Sequence, residues 1–123
     1  MDDSEQIVRE FCGAWSHGDL DRIMSFFADD AVYHNIPMDP QVGTEAIRTF
    51  IEGFTAMVDR IEFEILHLAV NGDVVLTERI DTFVRAVGSV GLPVMGTFEL
   101  TDGKITAWRD YFDMLQVTAA FGG

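Results

Sequence analysis

The chain has 123 residues, 48% hydrophobic and 24% charged, with 10 Phe and 6 Met, a composition that supports one buried core and excludes intrinsic disorder. Its 8 Lys and Arg against 21 Asp and Glu give a net charge of −13, which repels nucleic-acid backbones and anionic membrane surfaces and leaves neutral, apolar small molecules as the natural ligands. A single cysteine, Cys12, excludes an internal disulfide and multi-cysteine zinc sites.

The opening MDDSEQIVRE is acidic and polar rather than basic then apolar, and no apolar run approaches the roughly 20 residues of a membrane span, so a soluble cytoplasmic protein is expected. Ser4 is placed to cap a first helix carrying Ile7, Val8, Phe11, Ala14 and Trp15 on one face and stopping near His17-Gly18. Asp19 can cap a second, shorter helix through Leu20, Ile23, Met24 and Phe27, which ends before Asp29-Asp30. AVYHNI, residues 31–36, reads as a short strand stopped by Pro37, and PMDPQVG as a loop.

Thr44 and Glu45 open a third helix, where Ile47, Phe50, Ile51, Phe54, Met57 and Val58 recur at spacings of three and four, an apolar stripe fit to lie on a sheet. Four strands follow, near 61–70, 73–87, 91–101 and 104–115, separated by Asn71-Gly72, Gly88-Ser89 and Asp102-Gly103. Three helices and a short strand before an antiparallel meander predict a single α+β domain over 1–123, a curved sheet wrapped around the helices. Neither repeats nor low-complexity segments interrupt it.

Alternation in the last strand puts Asp110 between Trp108 and Phe112, and in the strand LTERIDTFV it puts Arg79, Asp81 and Phe83 on one face. If these are core faces, Asp110 is a buried carboxylate that needs a partner, and Arg79 with Asp81 can supply one across the interior. The other reading is a salt-bridge ladder on the outer face of the sheet. Tyr33 and Asn35 share a side of the first strand and could hold a water in place, but on these residues alone an edge-strand tyrosine and a turn-forming asparagine before Ile36-Pro37 are the simpler account. His17, His34 and His67 lie on separate elements without metal-ligand spacing, so no metal is expected, and Cys12 reads as core filler.

The segments YHNIPM (33–38), ERID (78–81), GTFEL (96–100) and ITAWRDYFD (105–113) together resemble the limonene-1,2-epoxide hydrolase family over nearly the whole chain. The resemblance implies the cone-shaped α+β fold shared with ketosteroid isomerase and nuclear transport factor 2, a homodimer, and a cofactor-free reaction. It implies Asp110, Arg79 and Asp81 as the catalytic unit, with Tyr33 and Asn35 holding the attacking water. In that reading an ionised Asp110 takes a proton from water as it opens an apolar epoxide, and a protonated Asp81 gives one to the departing oxygen. The pocket is expected to be lined by Trp108, Phe112, Phe83, Leu92, Val94, Phe54 and Met57, which suits a terpenoid, steroid-like or fatty substrate. The competing readings are a ketosteroid-isomerase-like proton shuttle, against which the arginine between two aspartates argues, and a non-catalytic lipophilic ligand-binding module, which has no use for a buried charge cluster.

Overall fold

Alternating burial in the second half of the chain organises one curved, six-stranded sheet in the computed structural model, which describes residues 3–121. The elements in chain order are α1 (Ser4–Ala14), a turn of 3-10 helix (Trp15–His17), α2 (Leu20–Ser25), β1 (Phe27–Asn35), β2 (Gln41–Val42), α3 (Thr44–Thr55), β3 (Arg60–Asn71), β4 (Val74–Arg85), β5 (Gly88–Thr101), β6 (Lys104–Tyr111) and α4 (Met114–Phe121). The sheet order is β2-β1-β6-β5-β4-β3. β3 to β6 form the expected antiparallel meander, while β1 returns to pair with β6 in parallel.

The concave face carries the core. Val75, Phe83, Leu92, Val94, Phe98, Leu100 and Trp108 are buried there, and Val8, Phe11, Cys12 and Trp15 meet them from α1 and the 3-10 turn that follows it. Phe11 stands edge-on to Trp108 with centroids 5.0 Å apart and an interplanar angle of 90°, the geometry that aromatic quadrupoles favour. α3 closes the other side with Ile47 and Ile51 fully buried.

Several boundaries move from their sequence-based positions. Asp3, not Ser4, takes the cap position of α1, and Ser4 is buried as the first helical residue. Phe27, expected in the second helix, starts β1 instead: it is buried and pairs with Ile105, which a helical position beyond the Phe26 cap could not offer. Asp29 and Asp30 then fall inside β1, exposed where its pairing with β6 slips register. The loop after Pro37 contains the two-residue strand β2, paired with Val32 and Tyr33.

α3 stops at Thr55, short of Met57 and Val58. The turn between β4 and β5 is Ala86-Val87 rather than Gly88-Ser89, whose residues pair with Arg85 and Val84; Gly88 takes φ 131°, a conformation that side chains resist, at the first rung of the ladder. The last strand ends at Tyr111 rather than running to 115, and α4 was not foreseen. Its start is held by Asp113, whose carboxylate accepts from the Leu115 amide at 2.9 Å, an N-terminal capping bond that turns the chain out of the sheet. No helix among the described residues is long and apolar enough to cross a membrane.

Candidate active site

On β4 the inward positions are Val75, Thr77, Arg79, Asp81 and Phe83; on β5 they are Leu92, Val94, Gly96, Phe98 and Leu100. Six of these ten carry hydrocarbon side chains of β-branched or larger size, and the polar members cluster around one point. Arg79 is fully buried, and Asp81 and Asp110 are 4% and 3% exposed. The outer-face ladder reading of these charges is thereby set aside.

The Arg79 guanidinium is bidentate to both carboxylates. Nε and Nη2 donate to Asp81 at 2.9 and 2.8 Å, and Nη1 and Nη2 donate to Asp110 at 3.2 and 2.8 Å. Nη1 also donates to the Thr77 hydroxyl at 3.0 Å, so every one of the five N–H groups of a guanidinium has an acceptor. The Phe63 ring lies 4.8 Å below the guanidinium carbon, adding a cation–π contact in a desolvated setting. Asp110 receives one further donor, the Trp108 indole N–H at 2.7 Å.

These contacts determine the charges. Burial alone would lower the proton affinity of Arg79, but Asp110 and Asp81 overcome it and hold the arginine charged far above its ordinary range. Asp81 is pushed up to about 6, chiefly because burial penalises its charged form, against the opposing pull of Arg79. Burial and then the Asp110 charge raise the Tyr33 phenol well above its usual range, so it stays a hydrogen-bond donor. Cys12, buried in α1, is pushed up to about 12 by burial and is inert as a nucleophile.

Beside the cluster is a cavity of about 480 Å³ whose wall includes Asp81, Asp110, Tyr33 and Asn35. The Tyr33 hydroxyl donates to Asn35 Oδ1 at 3.4 Å, and the Tyr33 ring stacks on Trp108 at 4.2 Å. The parallel register sets Asn35 opposite Asp110, which brings the pair from β1 to the base of the charge cluster. Phe112, Phe83, Leu92, Val94, Phe54 and Met57 all lie on the wall, Met57 half exposed just past the end of α3. Trp108 does not. It is fully buried behind the wall, where its indole N–H serves Asp110.

Arg79 is also absent from the wall, screened by the carboxylates it holds. The sequence reading missed Thr77 and Gly96, although Thr77 shares a face with Arg79 and a glycine inside a strand signals close approach. It also missed Met114, Val117 and Phe121, which α4 contributes to the wall.

The family model of the limonene-1,2-epoxide hydrolase catalytic domain matches residues 2–121. Epoxide hydrolase EphG of Mycobacterium tuberculosis is 36% identical over 109 residues, covering 87% of this chain and 71% of that protein. A solved structure of an M. tuberculosis epoxide hydrolase of the limonene-epoxide-hydrolase-like type superposes with a TM-score of 0.80 at 32% identity, over 95% of this chain and 83% of the other. An NTF2-like protein of unknown function from Burkholderia pseudomallei reaches a TM-score of 0.89 at 17% identity over the full length of both chains, a likeness of fold alone.

Proposed function

The chain belongs to the limonene-1,2-epoxide hydrolase family, and on that premise we propose that it opens an apolar epoxide to a vicinal diol in one displacement, with Asp110 as base and Asp81 as acid. The observation that carries this reading is the single guanidinium that spends four of its N–H donors on two carboxylates, both of which face the same apolar cavity while the guanidinium does not.

In the proposed step a water held by Tyr33 and Asn35 attacks one epoxide carbon. Its proton passes to Asp110 as the carbon–oxygen bond forms. The bond between that same carbon and the ring oxygen breaks on the side away from the water, and the departing oxygen takes the proton of Asp81. Water is added across the bond, and the exchange leaves Asp110 protonated and Asp81 ionised, to be reset through solvent after product release. Three N–H donors converge on Asp110 and two on Asp81, which makes Asp110 the better-solvated carboxylate and Asp81 the natural proton carrier. Arg79 has no N–H left for the epoxide oxygen, which supports Asp81 as the acid.

The wall around these groups, with Phe50, Phe54, Phe83, Leu92 and Val94, offers dispersion contacts and no cation. It suits a terpenoid, steroid-like or fatty epoxide. Diol formation by the purified protein from a panel of such epoxides tests the reading; no turnover of any of them would favour a lipophilic binding module.

The acid's role has a pH signature. Asp81 must carry its proton, so kcat/KM is expected to fall as pH rises through about 6. The same shift acts on folding: a carboxyl whose folded pKa lies above its unfolded value of about 3.9 stabilises the fold below that value, and the contribution is lost as pH rises through the folded one. Rates and thermal melts between pH 4 and 8 check both. A flat rate profile across that window would remove Asp81 from the role of acid.

A further inference from the structure

Arg79 and Asp110 stand on strands that are not neighbours, since β5 runs between β4 and β6. Strands two apart are about 10 Å from each other, so the guanidinium must cross over β5 to reach its second carboxylate. It crosses at Gly96, which pairs with Thr77 on one side and with Asp110 on the other. From this row we infer that Gly96 and Thr77 are positioning residues for the reaction, Gly96 by leaving the passage open and Thr77 by fixing the guanidinium in it. The inference rests on the Asp110–Arg79–Asp81 reading given above.

Gly96 is buried in the middle of a strand and lies outside the left-handed region that calls for glycine, so its backbone gives no reason for the residue. A strand interior ordinarily prefers a β-branched side chain there. What excludes one is the cluster: a Cβ at position 96 would lie 2.4 Å from Arg79 Nη1, 2.6 Å from Asp110 Oδ1 and 3.0 Å from Thr77 Oγ1, all inside ordinary contact distances of about 3.5 Å. None of the three atoms is free to retreat, because each is held by the hydrogen bonds of the others. A single methyl group at 96 therefore has to push the guanidinium off Asp110.

Thr77 closes the passage from the other side. It is 1% exposed, its hydroxyl donates to the Gly96 carbonyl at 3.5 Å, and its oxygen accepts from Nη1 at 3.0 Å. Without that acceptor Nη1 would be left with only its longer bond, 3.2 Å, to Asp110, and one buried N–H would be unsatisfied.

The test compares Gly96→Ala, Thr77→Val and Thr77→Ser with the parent, reading diol formation against pH on preparations shown by thermal melts to be folded. Gly96→Ala is expected to lose on the order of a hundredfold in kcat/KM and Thr77→Val on the order of tenfold, the scale of one buried donor left unpaired. In both, the guanidinium that pulls Asp81 down is displaced or loosened, so the fall in rate above about pH 6 should move to higher pH. Thr77→Ser keeps the hydroxyl and should restore the parental profile.

A purely structural role would lower the melting temperature and leave the profile in place. Folded Gly96→Ala or Thr77→Val protein with the parental profile overturns the inference, as does Thr77→Ser behaving like Thr77→Val. If Gly96→Ala does not fold, the two Thr77 variants decide. Asp110→Asn on the same substrates separates the two levels: if it is inactive, a failure at 77 and 96 sinks only the positioning roles, and if it is fully active, the catalytic reading falls and the inference with it.

Discussion

Replacing Asp110 by asparagine is expected to cut diol formation by about a hundredfold or more, the usual contribution of a placed general base. Asparagine has the size of aspartate and keeps one carbonyl oxygen, which can still accept from Trp108 and one guanidinium N–H. It cannot take a proton from water near neutral pH. Its NH2 group must face the second guanidinium N–H where the parent had an acceptor, so the variant should also melt lower, by about 1–3 kcal/mol for the unmade bond. Rate loss and stability loss are therefore separable: urea melts give the second, and diol formation from protein verified as folded gives the first. Parental turnover by folded Asp110→Asn would show that the base is elsewhere.

Arg79→Met should have the largest effect on stability of any single change in the site. It keeps most of the side-chain volume but leaves two carboxylates within a buried cluster without the cation that offsets their burial. Breaking such a pair from one side costs about 3–5 kcal/mol. The sign of its pH dependence identifies the cause. Without the pull of Arg79 the buried Asp81 binds its proton still more tightly than in the unfolded chain, so the variant should be closest to the parent in acid and fall further behind as pH rises through that raised value. Chemical denaturation at pH 4.5 and 7.5 reads this directly. A deficit equal at both pH values would mean that lost packing, not unpaired charge, accounts for the loss. Turnover should be abolished as well, because nothing then holds the two carboxylates in their places on the cavity wall.

The charge cluster could be read from the sequence because strand alternation is a local rule: Arg79, Asp81, Phe83 and, on β6, Trp108, Asp110 follow it residue by residue. The same rule misplaced Trp108, since alternation gives a side and not a depth; the indole went behind the cavity because its N–H had an acceptor in Asp110. What was not legible depends on neighbours that no local pattern names. Gly96 is informative only once a side chain from β4 is known to cross β5. Phe27 reads as helical on spacing, and becomes a strand residue because Ile105 lies beside it. α4 hid behind the even spacing of Phe112 and Met114, which imitates a continuing strand until the Asp113 cap bends the backbone.

The parallel pairing of β1 with β6 joins the first strand of the chain to the last, Tyr33 beside Trp108 and Asn35 beside Asp110. Contacts between distant segments are slow to form, because the chain between them must first be ordered. During synthesis the helices and the β3–β4 hairpin can take shape while the ribosome is still reading the remainder. Arg79 and Asp81 are thus made well before Asp110, and until β6 emerges the guanidinium has only one of its two carboxylates. No nascent chain that stops before β6 can hold Asp110, the stacked Tyr33 and Asn35 together. Asp110 reaches the guanidinium only when β6 pairs with β5, so the step that completes the sheet also supplies Arg79 with its second carboxylate.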